Sequence, residues 1–351
     1  MPKNLIGIIR DEKGKSRKLE SDSNRLVSDR WIDSPLVGIS HEWVRDREMR
    51  EVPLYLTENQ NTETQYSQDY TLLPNEIQKM LTKGVLRTSG NTSTNYSVLI
   101  PVAKGNDGNE QGRTGIILYN HEPVIVNIGG KDFVIEIKGV GRPDGNNDEI
   151  VLHERTVVGT SGKMMLGSLG YGDGQHEYDI LELTRERDFE DFRNGNSPRA
   201  LALQRRGVVG VLYRLTQSNI RVSYRGNSSL DEKLDTSQLV DDVARQWVNL
   251  AKQDELLIHS NIHPENIINT GRGYCLTDLA DVEGLEEKFG DMSGKDFLGR
   301  VLNKIKETRE ILPESENRFY ATVTRGLGLE YTASNYDEFI DNIWRGFYNS
   351  T

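Results

Sequence analysis

Ile258 to Val282 reads I-H-S-N-I-H-P-E-N-I-I-N-T-G-R-G-Y-C-L-T-D-L-A-D-V, and its punctuation decides how the rest of the chain is read. The polar run His259 to Asn266 is a loop, and Ile267 with Ile268 is a short strand. Asn269-Thr270-Gly271 is a turn, and Tyr274 to Leu276 is a second strand that ends in an acidic segment. A hairpin of this kind brings Asn266 and Asp278 to two neighbouring strand ends. An amide oxygen and a carboxylate are hard donors, and Mg²⁺ takes such donors while keeping positions for phosphate oxygens. Asn266 and Asp278 are therefore the candidate metal ligands.

The order of residues matches the protein-kinase pattern H-R-D-L-x-x-x-N, then a hairpin, then D-F-G. His259 takes the histidine place, Asn266 the asparagine place and Asp278 the place of the D-F-G aspartate. The catalytic aspartate's place holds Asn261, and an amide cannot accept a proton from a substrate hydroxyl. His259 is expected to support the loop rather than act as a base. His263, which replaces the lysine of ordinary kinases, is expected to face solvent or acceptor, and Asp281 is expected to be an exposed carboxylate, with a hydrogen-bond acceptor supporting the metal site as the alternative.

Upstream, β-branched residues alternate at Tyr96 to Val102, Gly115 to Tyr119, Val124 to Ile128 and Phe133 to Lys138, separated by Gly/Asn/Asp turns. These predict an antiparallel sheet. The loop K-G-N-D-G-N-E-Q-G-R-T-G, with Gly112 and Arg113, has the composition to bring backbone N–H groups onto phosphates, and equally that of a long hairpin loop. Lys138 ends the F-V-I-E-I-K strand, either as a solvated strand-end lysine or as the lysine that pairs with a phosphate and a helix carboxylate. Asp148 to Leu169 is expected to be a helix carrying that carboxylate as Glu154, and Gly170 to Pro198 an insertion. Strands are expected at Ala200 to Gln204 and Val208 to Leu215, followed by the arginines Arg214 and Arg221. A helix is expected at Asp241 to Ala251, with tail helices at Phe297 to Thr308, Glu316 to Gly326 and Asn335 to Phe347. Residues 1–95 are expected to form an N-terminal extension, with one helix at Pro74 to Lys83 capped by Asn75 and ended by Gly84. The expected fold class is α+β and two-lobed: an antiparallel-sheet lobe over 96–225 and a mainly helical lobe over 226–351.

The chain has 351 residues, 43 Lys+Arg against 54 Asp+Glu, and a net charge of −11. That balance speaks against nonspecific nucleic-acid binding and against an anionic membrane surface. No apolar run approaches the roughly 18 residues of a membrane span, and the chain is expected to be cytoplasmic. Cys275 is the only cysteine and reads as a buried structural thiol. The six histidines are dispersed, which offers no zinc cluster, and no G-x-S-x-G nucleophile motif occurs.

Several segments together resemble the selenoprotein O family of kinase-fold pseudokinases. Ile135 to Gly141 (I-E-I-K-G-V-G) is similar to that family's Q-L-K-G-A-G, and Pro143-Asp144-Gly145 to its A-D-G. Pro198-R-A-L-A-L looks like T-R-A-L-A-L, and V-L-Y-R-L-T-Q-S-N-I-R-V-S (Val211 to Ser223) like V-L-T-R-V-A-x-S-H-I-R-F-G. H-S-N-I-H-P-E-N and T-D-L-A are similar to the family's H-G-V-M-N-T-D-N and I-D-Y-G. The likeness runs over about 108–285, with gaps. The family's T-P-Y-S-R after the lysine strand is absent, D-Y-G has become D-L-A, and no redox-active cysteine end is present.

The resemblance implies an inverted ATP whose α-phosphate faces the acceptor, so that AMP passes to a hydroxyl of a protein or peptide. Carried over, Lys138 and Glu154 are the ion pair, Arg214 and Arg221 clamp the triphosphate, and Asn266 and Asp278 hold Mg²⁺. Gly112 and Arg113 belong to the nucleotide loop, and Glu265 stands where the family has its candidate base. Two alternatives remain open: a phosphotransferase using Glu265 or substrate-assisted deprotonation, and a catalytically silent nucleotide-binding scaffold.

Overall fold

The structure, a computed structural model, describes residues 4–10, 16–21, 47–53, 55–57, 63–82, 84–86, 95–103, 114–139, 142–144, 147–151, 169–206, 209–217, 220–221, 235–252, 257–262, 266–270, 273–284 and 316–328, with 296, 299, 340, 341 and 345. The chain folds as two units, Met1–Arg187 with Pro198–Ile220, and Asp188–Ser197 with Arg221–Thr351. The class is α+β, as the alternation of strand and helix patterns predicts.

The first unit is built on one antiparallel sheet. Its main path uses β1 (Arg47–Pro53), β2 (Glu63–Tyr66), β3 (Tyr96–Ala103), β4 (Thr114–Tyr119), β6 (Lys131–Lys138), β7 (Arg199–Arg206) and β8 (Val209–Thr216). The spatial order is β1-β3-β4-β6-β8-β7-β2, and β5 (Ile125–Ile128) pairs with β6 beside that path. β3, β4, β5 and β6 lie where the period-two runs put them. The segment 1–95 corrects the expected boundary, because it supplies both ends of this path instead of a separate extension. β1 reads R-E-M-R-E-V-P, and its charges conceal an edge strand, a place where charge is tolerated.

Strand pleating gives β6 two faces. Phe133, Ile135 and Ile137 point to one, where they join Val211, Tyr213 and Leu215 of β8 in an apolar core. Helix α1 (Asn75–Leu81) closes that core with Ile77, Met80 and Leu81. Each such side chain contributes roughly 1.5–3 kcal/mol when buried, so α1 is integral to the unit. Gln204 ties it down, its Nε2 donating to the Leu81 carbonyl at 2.7 Å. The N-cap of α1 is Pro74, not Asn75, and Gly84 opens a short strand rather than ending the helix.

The opposite face of β6 carries Glu136 and Lys138. Here the structure corrects the expected helix at Asp148 to Leu169, since Asn147–Val151 is a strand paired with Arg142–Asp144. Residues 152–168, Glu154 among them, lie outside the described residues. The helix on this face is α2 (Tyr171–Glu186), inside the segment read as an insertion, and it lies against β7 and β8. Gly172 and Gly174 in its first turn hide it from a propensity reading. Gly174 has a packing reason: a Cβ there would stand 3.1 Å from both Leu169 Cδ2 and Leu203 Cδ1.

In the second unit, α3 (Thr236–Ala251) starts at Asp235, whose side chain accepts from the Gln238 N–H at 2.9 Å. Two small antiparallel ladders follow: β9 (Leu257–His259) with β12 (Val282–Gly284), and β10 (Ile267–Asn269) with β11 (Tyr274–Leu276). α3 serves the outer edge of β11 as a partner strand would. Asp242 accepts from the Tyr274 N–H at 2.9 Å, while Gln246 donates to the Tyr274 carbonyl at 2.7 Å and accepts from the Leu276 N–H at 2.8 Å. Helix α4 (Glu316–Gly326) packs on α3, with Phe319 edge-on to Trp247. The expected tail helices on either side of α4 lie almost wholly outside the described residues.

Candidate functional site

In the first unit the site is a buried network of four charges. Lys138 Nζ lies 2.5 Å from Glu177 Oε2, and Arg214 binds the other oxygen of the same carboxylate. Arg214 Nε donates to Glu136 Oε2 at 2.7 Å. The sheet register places these groups, since Glu136 stands opposite Arg214 and Lys138 opposite Leu212. All four are sealed, with exposures of 2% for Lys138, 0% for Glu177, and 1% each for Arg214 and Glu136. Among the described residues two cations meet two carboxylates, a balance under which charges tolerate burial.

Among the described residues the lysine's carboxylate partner is Glu177 of α2, where the sequence suggested Glu154, which lies outside them. Glu177 belongs to a helix face with Gly174, Leu181 and Thr184, all buried, and that spacing brings one carboxylate down onto the strand. Arg214, expected as a phosphate clamp, has two of its nitrogens held by carboxylates. Gly139, next to Lys138, adopts φ +94°, and a Cβ there would lie 2.6 Å from the Gly210 carbonyl oxygen. That glycine lets the lysine strand leave the sheet directly beside β8. Gly112 and Arg113 lie outside the described residues.

In the second unit the hairpin β10–β11 sets Asn266 and Asp278. The Thr277 N–H donates to the Asn266 carbonyl at 2.8 Å, which holds the two strand ends together. Asn266 is buried, and its Nδ2 donates to the Asn261 carbonyl at 3.0 Å, so Oδ1 is the amide atom suited to a cation. Asp278 is half-buried and left-handed at φ 58° and ψ 50°, at the head of the turn Leu279–Asp281. A non-glycine residue in that region is sparsely populated, and strain of this kind concentrates at functional positions.

His259 organises this loop. Its Nδ1 accepts from the Asn261 N–H at 3.2 Å, which leaves Nε2 to donate to the Thr277 carbonyl at 2.9 Å. With both ring nitrogens engaged and the ring fully buried, His259 is a brace, as expected. Asn261 donates through Nδ2 to Asp281 Oδ2 at 2.9 Å. Ser260 meets the Asp281 carbonyl twice, from its N–H at 2.8 Å and from its hydroxyl at 2.9 Å. Asp281 is thus an acceptor fastened to the loop, not a freely solvated carboxylate. Glu265 and His263 lie outside the described residues, and Arg221 is seen only as part of a short strand, Ile220–Arg221.

Elsewhere in this unit, Arg245 bridges Asp242 at 2.7 Å and Asp191 at 3.2 Å. Burial pushes the Asp191 carboxyl up to about 6, against the opposing pull of Arg245. Cys275 is buried, as a structural thiol would be.

Asn266 Oδ1 and the Asp278 carboxylate are two hard oxygen donors on adjoining backbone, a set that suits Mg²⁺ completed by phosphate oxygens. Among the described residues no three His, Cys, Asp or Glu side chains gather as a metal-binding group. No helix of the described residues is long and apolar enough to cross a membrane.

No protein-family model matches the chain, and no curated protein matches it at a significant level. The likeness to the selenoprotein O family accordingly rests on the residues quoted for it.

Proposed function

We propose that the protein is an ATP-dependent transferase on a kinase-like scaffold, moving AMP from Mg-ATP to a hydroxyl of a protein or peptide. The observation that carries this reading is the buried Lys138–Glu177 pair, a strand lysine held by a helix carboxylate. In kinases that combination sets the lysine on the nucleotide's phosphates. The order of elements adds support: an antiparallel sheet with its lysine strand, the carboxylate helix, then a braced loop, a hairpin and a strained aspartate. Glu177 keeps the Lys138 ammonium oriented. Asn266 and Asp278 would hold Mg²⁺, which when bound neutralises phosphate charge. Asn261 in the catalytic-aspartate place removes the ordinary route for γ-phosphoryl transfer and supports the adenylyl reading.

A second reading, phosphoryl transfer, is favoured by the state of Arg214. An inverted triphosphate needs its far end clamped by cations, and drawing Arg214 to that task means competing with Glu136 and Glu177. Intact-mass spectrometry after incubation with Mg-ATP and candidate hydroxyl acceptors separates the two. A gain of about 329 Da marks AMP and about 80 Da marks phosphate, the increments of the two group transfers. Lys138→Ala and Asp278→Ala are expected to abolish turnover without unfolding the chain; wild-type rates in both would remove the assignment.

A further inference from the structure

The loop that lost its aspartate has a carboxylate close by. Asn261 occupies the catalytic place, and its amide donates to Asp281 Oδ2 at 2.9 Å, twenty residues further along the chain. Asp281 is fixed through its backbone as well: its carbonyl receives the N–H of Ser260 and shares the Ser260 hydroxyl with Glu283 Oε1, and its own N–H donates to the Asp278 carbonyl at 3.0 Å. It is half-buried, unlike the fully buried His259 beneath it, so a substrate group can approach it. The backbone contacts fix where the residue stands, and among the described residues the Asn261 amide alone selects the rotamer of its side chain, at a cost in conformational entropy that a solvated carboxylate avoids.

We infer that Asp281 is the carboxylate that receives the acceptor hydroxyl, with Asn261 as the amide that orients it. The inference rests on the transferase reading and deepens it by naming a catalytic residue other than Glu265. Asn261 engages Oδ2, and Oδ1 is the oxygen assigned to the hydroxyl. The acceptor O–H donates to Oδ1. Its oxygen bonds to the α-phosphorus as the bond from that phosphorus to the pyrophosphate oxygen breaks. The proton passes to the Asp281 carboxylate, and pyrophosphate leaves with the electrons of the broken bond. Amide and carboxylate have in effect exchanged positions across one hydrogen bond, relative to a loop whose aspartate stands at the place of Asn261.

The test uses the full chain with Mg-ATP. It reads nucleotide consumption, with water and the chain's own hydroxyls as acceptors, alongside Mg-ATP affinity by titration and melting temperature. Asp281→Asn keeps the shape and the backbone contacts, and is expected to lower turnover at least about a hundredfold, the scale of a lost proton acceptor, with affinity within about twofold. The double exchange Asn261→Asp with Asp281→Asn restores the amide–carboxylate pair in reverse and is expected to recover at least about tenfold of the loss, an outcome a purely structural contact does not give. Should Asp281→Asn melt early, the exchange variant carries the test, because it retains one amide and one carboxylate. Turnover in Asp281→Asn within about threefold of wild type overturns the inference, as does an equal loss of Mg-ATP affinity, which would make Asp281 a group on the metal or nucleotide. A hundredfold loss confined to Glu265→Gln also overturns it while the transferase reading stands. A wild-type chain that neither binds nor consumes Mg-ATP removes the transferase reading and the inference with it.

Discussion

Glu177→Gln is the perturbation whose size follows most directly from the structure. The wild-type network balances Lys138 and Arg214 against Glu177 and Glu136, every member within 2% of full burial. Replacing the Glu177 carboxylate by an amide leaves, among the described residues, two buried cations facing one carboxylate. Breaking one member out of a buried ion pair costs about 3–5 kcal/mol, because the remaining charge is desolvated without compensation. For a unit of this size, about 2–4 °C of melting temperature accompanies each kcal/mol, which gives a fall of about 6–20 °C. The assay is thermal unfolding followed by circular dichroism at neutral pH, with Glu154→Gln as the comparison. Glu154 is the partner the sequence favoured, and if Glu177 holds the lysine its substitution is expected to cost less than Glu177→Gln. A double change, Lys138→Met with Glu177→Leu, leaves the neutral Arg214–Glu136 pair intact and is expected to cost less than either single change. Glu177→Gln melting with the wild type, or Glu154→Gln producing the larger fall, would refute the pairing.

Other outcomes follow from single residues. Gly139→Ala must hold a side chain at φ +94° against the Gly210 carbonyl, and is expected to lose about 1–3 kcal/mol in a denaturant titration from backbone strain alone. Asp278→Gly relieves a left-handed aspartate and is expected to melt at or above the wild-type temperature while losing Mg²⁺-dependent ATP binding, measured by titration with and without the metal. Asp191, with its folded-state pKa raised to about 6, binds its proton more tightly folded than unfolded. Its contribution to stability is fully present below about pH 4 and is lost as pH rises through about 6; denaturation midpoints across that window should fall in the wild type and flatten in Asp191→Asn.

Much of this architecture is legible in the residue pattern. The β3–β4–β5–β6 strands announce themselves because their buried faces alternate with turns rich in Gly and Asn. The hairpin β10–β11 is equally plain, since Ile267-Ile268 and Tyr274 to Leu276 flank a turn with no other reading. What escapes is set by tertiary contact. The sequence pays no visible attention to α2 because Gly172 and Gly174 suppress helix propensity, and only the approach of Leu169 and Leu203 explains Gly174. Glu177 is lost with that helix, and Glu154 takes its place in a linear reading. β1 escapes because its charges suit an edge. Arg214 reads as a phosphate ligand until the register of β6 against β8 sets Glu136 directly opposite it. Asp281 looks like an ordinary exposed acid until the fold returns it to Asn261.

The claim on which the account turns is that Lys138 and Asp278 serve a magnesium nucleotide. Its most direct test is an equilibrium titration of the full chain with ATP, with and without Mg²⁺, in the wild type, Lys138→Ala and Asp278→Asn. The account predicts saturable binding by the wild type that strengthens with Mg²⁺, a large loss in Lys138→Ala, and loss of the Mg²⁺ dependence in Asp278→Asn. Binding that is absent in the wild type, or identical in all three proteins, would contradict it.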